Sequence, residues 1–274
     1  MIIAKTDPIF EAAQEAAAYV KTQDAGTPTF GIVLGSGLGA FVDRIHIHQQ
    51  ISYAEIPHFP VSTVKGHSGK LTLGTIAGQS VVVMQGRFHV YEGYPLRQVV
   101  FPVAVLHLLG VQTLILTTAS GGLNRHFRPA DLMLITDVIN FTFTDPLRDF
   151  QKVHPQRPSI REMTSPQRIR QIEQAAQEAG LRLQRGVFAW AYGPNYESPM
   201  EIEMLRQFAD AVSMSTVPEW MFAKALGLDV IGISCITNVA VGHVGETTHT
   251  EVITVANQAS EKLSQLLIQF MTNG

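Results

Sequence analysis

The residues of this 274-residue chain that could do chemistry fall in small clusters, each following a short apolar run. Gly35-Ser36-Gly37-Leu38-Gly39-Ala40 has the G-x-G-x-x-A spacing of a dinucleotide fingerprint, with Glu55 downstream. That fingerprint needs a strand, a tight glycine turn and a helix whose N-terminus faces a pyrophosphate. Between Ala40 and the alternating, strand-like IHIHQQ (45–50) there is room only for a short helix, and Pro57 and Pro60 follow Glu55. A β-α-β unit does not fit, so a nucleotide-dependent oxidoreductase is disfavoured. What remains is a simpler anion loop, in which backbone N–H groups and the Ser36 hydroxyl hold one phosphate, or a bare turn after a strand.

Other clusters are weaker when taken singly. Ser120 follows Thr118-Ala119 rather than Gly-x, so it makes no nucleophile elbow. Gly66-His67-Ser68-Gly69-Lys70 is too short for a P-loop. His46 and His48 share a strand face and could hold a metal, but polar residues turned outward on a partly exposed strand explain them better. Arg87 and His89 lie on one side of an extended chain; alone, Arg87 also reads as an ion pair with a carboxylate such as Glu92. Glu197 alone reads as a solvated residue before a helix, Asn238 as a turn residue ending a strand, and His249 as a surface residue at a helix start. The lone Cys235 can form no intrachain disulfide, and no cysteine cluster exists for zinc.

The apolar runs that precede these clusters must position them. Thr29–Leu34 leads into GSGLG, Val81–Met84 into QGRFH, and Thr113–Leu116 into TTASGG. Gly186–Ala191 leads into YGPNYES, Ala211–Met214 into STVPE, and Val230–Ile233 into SCITN. Continuous apolar runs of this length suit strands buried on both faces. Helical segments alternate with them. Asp7 caps an N-terminal helix that opens with Pro8; Leu96–Leu109 stops at Gly110 and contains Pro102; Pro166–Ala179 has Ser165 as N-cap and stops at Gly180. Pro199–Ala209 and the last helix open with the capping boxes Ser198–Glu201 and Thr248–Glu251. The expectation is an α/β fold: one domain over 1–274, with a central mixed, mainly parallel β-sheet flanked by helices and ligands gathered at the carboxyl ends of the strands.

Composition narrows the function class. Charged residues make up 16% and hydrophobic ones 46%, so the chain has apolar surface enough for a large core and a subunit interface. A net charge of -3 argues against a dedicated nucleic-acid binder. The stretch Val99–Leu116 is broken by Pro102, His107, Gly110 and Gln112, and the N-terminus has no signal-peptide pattern. A cytoplasmic protein with no membrane partner is expected.

Together, the clusters say more. GSGLG (35–39), EIPHFPVSTVKGHSGK (55–70), QGRFHVYEGYPL (85–96) and TTASGGLN (117–124) resemble the trimeric purine nucleoside phosphorylases. GPNYES (193–198), SMSTVPE (213–219) and SCITN (234–238) continue that resemblance in the same order. It covers nearly the whole chain and is weakest between 145 and 171.

The resemblance implies phosphorolysis: a purine nucleoside plus inorganic phosphate gives the free base and (deoxy)ribose 1-phosphate, in purine salvage, by a homotrimer with no metal or organic cofactor. It maps a phosphate site onto Ser36, His67, Arg87, His89, the backbone N–H of Ala119, and Ser215, a set whose planar guanidinium fork and hydroxyls suit phosphate oxygens. Purine contacts map onto Tyr196, Glu197, Met214, Thr237 and Asn238, and ribose contacts onto Tyr91, Met214 and His249. Asn238, His89 and Glu197 carry over as the catalytic residues. Asn238 would stabilise charge gathering on the departing purine, a role comparable to an oxyanion hole, while Glu197 would accept from N1–H. Adenosine presents a lone pair there instead, and facing acceptors cost on the order of 1–3 kcal/mol each, so inosine and guanosine are the expected substrates.

Departures from the family pattern lie close to the ligand: Tyr196 for Phe, Ser213 for Gly, Ser120 for Ala, and Val239 for Lys. Arg157 falls where relatives place an aromatic that covers the neighbouring subunit's ribose. The alternative within the class is a phosphorylase of 5′-methylthio-purine nucleosides, which needs an apolar pocket where His249 stands and an acid at position 238. A non-catalytic purine-binding protein ranks behind both, because Arg87, Glu197 and Asn238 are all present.

Overall fold

The β-branched and leucine-rich runs pair into one nine-stranded sheet in the computed structural model, which describes residues 7–61, 63–64, 67–148, 163–240 and 248–273. The strands are β1 (Phe30–Val33), β2 (His46–Ser52), β3 (Lys70–Ile76), β4 (Gln79–Gln85), β5 (Thr113–Gly122), β6 (Leu132–Asn140), β7 (Leu183–Trp190), β8 (Ala211–Ser213) and β9 (Asp229–Val239). Their order is β2-β3-β4-β1-β5-β8-β7-β6-β9, and β5 also pairs with β9, so the last five strands close into a ring. Pairings β1–β4, β1–β5, β5–β9, β6–β7 and β7–β8 are parallel; β2–β3, β3–β4, β5–β8 and β6–β9 are antiparallel. The expected α/β fold with a mixed, mainly parallel sheet is the one observed. Strands β3 and β6 were not among the expected apolar runs.

The described residues form six helices, α1 (Pro8–Gln23), α2 (Leu96–Leu109), α3 (Pro166–Glu178), α4 (Pro199–Leu205), α5 (Val217–Leu226) and α6 (His249–Thr272). Their ends follow the capping signals. The Asp7 carboxylate accepts from the Ile9 N–H at 3.0 Å, Ser165 accepts from Arg168 N–H, and Gly110 ends α2 at φ 110°. Both expected capping boxes are formed. Helix α4 is shorter than the expected 199–209: it stops at Leu205, and the next residues form a turn.

Side chains of α1, α2 and α5, among them Phe10, Val105 and Trp220, pack on one face of the sheet. Those of α3 and α6, among them Ile172, Leu263 and Phe270, cover the other with Ile115 and Ile231. Each such side chain contributes about 1.5–3 kcal/mol relative to exposure, which holds the strand ends at the site in register. Among the described residues no helix is long and apolar enough to cross a membrane.

Candidate active site

The glycine loop is shaped by close approach on two sides. A Cβ on Gly35 would lie 2.9 Å from the Thr118 Cα, so only glycine lets the end of β1 touch β5. Gly37 has φ +75°, and a Cβ there would sit 2.6 Å from the Ala256 Cβ of α6. After this loop comes a six-residue 3-10 turn, Gly39–Arg44, and then β2, which pairs antiparallel with β3. No β-α-β unit follows, and the Glu55 carboxylate accepts from the Ser52 N–H in a local cap. The dinucleotide spacing is therefore a packing motif here.

What the loop presents is Ser36, whose Oγ lies 3.2 Å from His67 Nε2. His67 Nδ1 faces the Arg87 backbone, 3.3 Å from N and 3.2 Å from O. Burial, helped by the charges of His89 and Arg87, lowers the His67 pKa to about 4, so the ring is neutral near pH 7. His67 stacks on His89, and His89 on Tyr91, with ring centroids 5.6 and 4.6 Å apart.

Arg87 is 2% exposed and anchored by the end of β1, by the middle of β5 and by the turn before α5. Its Nη1 donates to Ser215 Oγ (3.1 Å) and Thr216 Oγ1 (2.6 Å), and its Nη2 to the carbonyls of Val33 (3.3 Å) and Thr117 (2.5 Å). Its carboxylate neighbour is Glu219, with Nε 3.6 Å from Oε1, and not Glu92 as read from proximity in sequence. Glu92 serves His89 instead: Oε1 accepts from the His89 backbone N–H (2.9 Å) and lies 2.7 Å from its Nδ1. Burial alone would raise the Glu92 carboxyl, but hydrogen bonds from His89 and from both the hydroxyl and backbone of Thr63 bring it down to about 2.

The opposite wall is built by an irregularity. Along β5–β9 the register steps from Ser120↔Ile236 to Gly121↔Asn238, leaving Thr237 as an extra residue. Such a bulge re-aims side chains, and both Thr237 and Asn238 face the cavity although they are adjacent in a strand. The Thr237 hydroxyl reaches Asn238 Oδ1 (3.1 Å) and the Ser120 carbonyl (3.2 Å). With Oδ1 so engaged, the Asn238 amide N–H groups are left for a ligand. Burial raises the Glu197 pKa, with a further push from the Glu201 charge.

Ser36, Arg87, His89, Tyr91, Ala119, Tyr196, Glu197, Met214, Ser215, Thr237 and Asn238 all line one cavity of about 550 Å³. His67 stands behind Ser36 as its hydrogen-bond partner. Helix α6 starts at His249 as expected, but that side chain, like Arg157, lies outside the described residues. The sequence reading missed Thr118, whose Oγ1 is 3.2 Å from Ser215 Oγ, and Thr216, a buried β-branched residue at φ +79°. It also missed the apolar lining by Val212, Ile202 and Val252. Of the family departures, Ser213 donates to the Ala119 carbonyl at 2.8 Å, and Ser120 accepts from Ser234 at 2.7 Å. His46 and His48 are exposed on β2, their rings 5.6 Å apart, with His48 Nδ1 3.5 Å from Asp24.

The cavity thus joins a cationic, hydroxyl-lined region to one carrying a carboxylate and an amide, which can grip an oxyanion beside a hydrogen-bonding heterocycle. Residues 29–272 match the family model described as the phosphorylase superfamily. The chain is 44% identical over 263 residues to purine nucleoside phosphorylase 1 of Bacillus subtilis (strain 168), covering 93% of this chain and 95% of that one. It is 39% identical over 275 residues to the purine nucleoside phosphorylase of Bos taurus, covering 96% and 95%. The crystal structure of a Schistosoma purine nucleoside phosphorylase in complex with hypoxanthine aligns with a TM-score of 0.89 at 33% identity, covering 96% of each chain.

Proposed function

The chain belongs to the phosphorylase superfamily and, within it, to the purine nucleoside phosphorylases, and we propose that it cleaves inosine and guanosine, as ribo- and deoxyribonucleosides, with inorganic phosphate. The observation that carries this reading is the single cavity in which Arg87, Ser36 and Ser215 lie with Glu197 and Asn238. Phosphate is held by Ser36, Ser215, His89 and the Ala119 N–H under the charge of Arg87, with His67 supporting Ser36 from behind. It sits beneath the ribose, steadies positive charge as the glycosidic bond lengthens, and attacks the anomeric carbon. Electrons of the broken C–N bond go to the purine, where the Asn238 amide donates to the region of N7 and O6. Glu197 accepts from N1–H, and Tyr196 packs on the base. Tyr91, Met214 and His249 contact the ribose, with His249 at the 5′-hydroxyl.

No further cofactor belongs to this chemistry. The protein acts as one domain over 1–274, as a homotrimer in the cytoplasm, in salvage of purines. The 5′-methylthio-purine alternative is disfavoured by Asn238, where an acid would be required.

The test is incubation of the purified protein with inosine, with and without phosphate, following hypoxanthine release beside an adenosine control. Release only with phosphate, and little from adenosine, is the expected result. Release without phosphate would make the protein a hydrolase. No release from inosine, with turnover of methylthio-purine nucleosides, would move it to the alternative class.

A further inference from the structure

Arg87 meets two kinds of neighbour. Its four terminal N–H positions are taken by neutral acceptors: Ser215, Thr216, and the carbonyls of Val33 and Thr117. Its charge is faced by Glu219, in the first turn of α5, at 3.6 Å from Nε and too far for a normal hydrogen bond. The two residues are 2% and 3% exposed. Among the described residues neither Glu219 carboxylate oxygen has a hydrogen-bond partner, and neither has Arg87 Nε. A buried carboxylate without hydrogen bonds is costly and orients nothing. The guanidinium is already positioned by its neutral acceptors, so what Glu219 adds is charge. Glu219 is also absent from the cavity lining, so it stands behind Arg87 and touches no ligand there.

We propose that Glu219 is the resident counter-ion of the anion cage, acting only through its charge on Arg87 and setting how tightly the cage holds an oxyanion. The inference rests on the reading of that cage as the phosphate site. With the cage empty, Glu219 neutralises a guanidinium that would otherwise be a buried unpaired charge. When a phosphate dianion enters, the same carboxylate is a like charge just beyond the arginine, and its repulsion loosens the grip. Phosphate and the sugar phosphate product are both held less tightly than Arg87 alone would hold them, which favours release.

The experiment is calorimetric titration of inorganic phosphate into the wild type and Glu219→Gln, with steady-state KM values and melting temperatures with and without phosphate. Glu219→Gln is expected to bind phosphate about tenfold more tightly, the factor that ~1.4 kcal/mol of removed repulsion gives, with the inosine KM unchanged. Its Tm without phosphate should fall, and phosphate should raise it by more than in the wild type. Equal or weaker phosphate binding in Glu219→Gln overturns the proposal and leaves a merely structural residue. If phosphate fails to bind the wild type, the reading of the cage itself has failed. Should Glu219→Gln not fold, Glu219→Asp, whose carboxylate is drawn back by one methylene, must show a smaller tightening; an unchanged or weaker affinity overturns the proposal equally.

Discussion

Single side chains in this cavity act either by charge or by the direction in which they donate, and substitutions separate the two. Arg87→Ala removes the cage's buried cation, so the KM for phosphate should rise about a hundredfold or more, while that for inosine changes little. It also strands Glu219 without a counter-charge, at a cost of about 3–5 kcal/mol, so the kinetics should be read well below the lowered Tm. Equal effects on both KM values would place Arg87 outside the phosphate site. Asn238→Asp exchanges a donor for an acceptor, with Thr237 still beside it. The ratio of inosine to adenosine kcat/KM should fall about ten- to a hundredfold, the scale of one mispaired buried group. An unchanged ratio would sink the base-recognition model. Glu197 adds a pH signature. Burial raises its pKa, so the carboxylate is lost at a higher pH than an ordinary carboxyl as the medium is acidified. The inosine KM should therefore begin to rise on the acid side above pH 4.5, and a Glu197→Gln variant should lack that limb.

Elements bring these side chains together through features with different visibility in a sequence. The strands β1, β4, β7 and β8, the caps of α1, α3 and α6, and the glycine stop of α2 follow local rules, so periodicity and capping residues announce them. The apolar runs Thr113–Leu116 and Val230–Ile233 lead into the polar clusters TTASGG and SCITN, yet the strands β5 and β9 run on through those clusters, to Gly122 and Val239. They do so because the two strands stay paired with each other as far as Gly122↔Val239, with β8 and β6 adding partners at Gly121–Gly122 and Ser234–Cys235, which the local sequence does not encode. The bulge at Thr237 is likewise a property of the pairing, since it depends on which β5 residue stands opposite. Ordered motifs made most of the site legible through resemblance, whereas the Arg87–Glu219 and His89–Glu92 pairings follow from tertiary placement. The glycine loop shows how one pattern can serve two architectures. If its role is close packing, Gly37→Ala should cost about 2–4 kcal/mol, from the positive φ and the overlap with Ala256 and the Ile253 carbonyl. Gly39→Ala, whose added Cβ meets nothing within 4 Å, should be nearly neutral. Chemical denaturation of both variants checks this; equal costs would mean that loop flexibility, not space, is what glycine supplies.

At the scale of the whole molecule, the site's half-buried His67 imidazole couples folding to pH. His67 has a folded-state pKa of about 4 against 6.5 for the free side chain, because burial, then the charges of His89 and Arg87, oppose protonation. Between those two values the unfolded chain binds a proton at this position and the folded chain does not. Unfolding is therefore favoured progressively as pH falls from about 6.5 to about 4, and below that both states are protonated and the loss is complete. The size is on the order of 3 kcal/mol, a sizeable part of a typical folding stability. Glu92 has the opposite arrangement: its pKa is lowered to about 2, so its contribution is present above 4.5 and lost only as pH falls below that value toward 2. The two windows barely overlap, which makes the histidine separable. Urea unfolding in phosphate-free buffer at pH 7, 5.5 and 4 should show the wild type losing on the order of 3 kcal/mol more across this range than His67→Asn. His107, also lowered by burial, contributes in both proteins and cancels in the comparison. Parallel pH profiles for the two would mean that His67 takes up its proton in the folded state as readily as in the unfolded one, and that the stacked His67–His89–Tyr91 wall tolerates a cation beside Arg87.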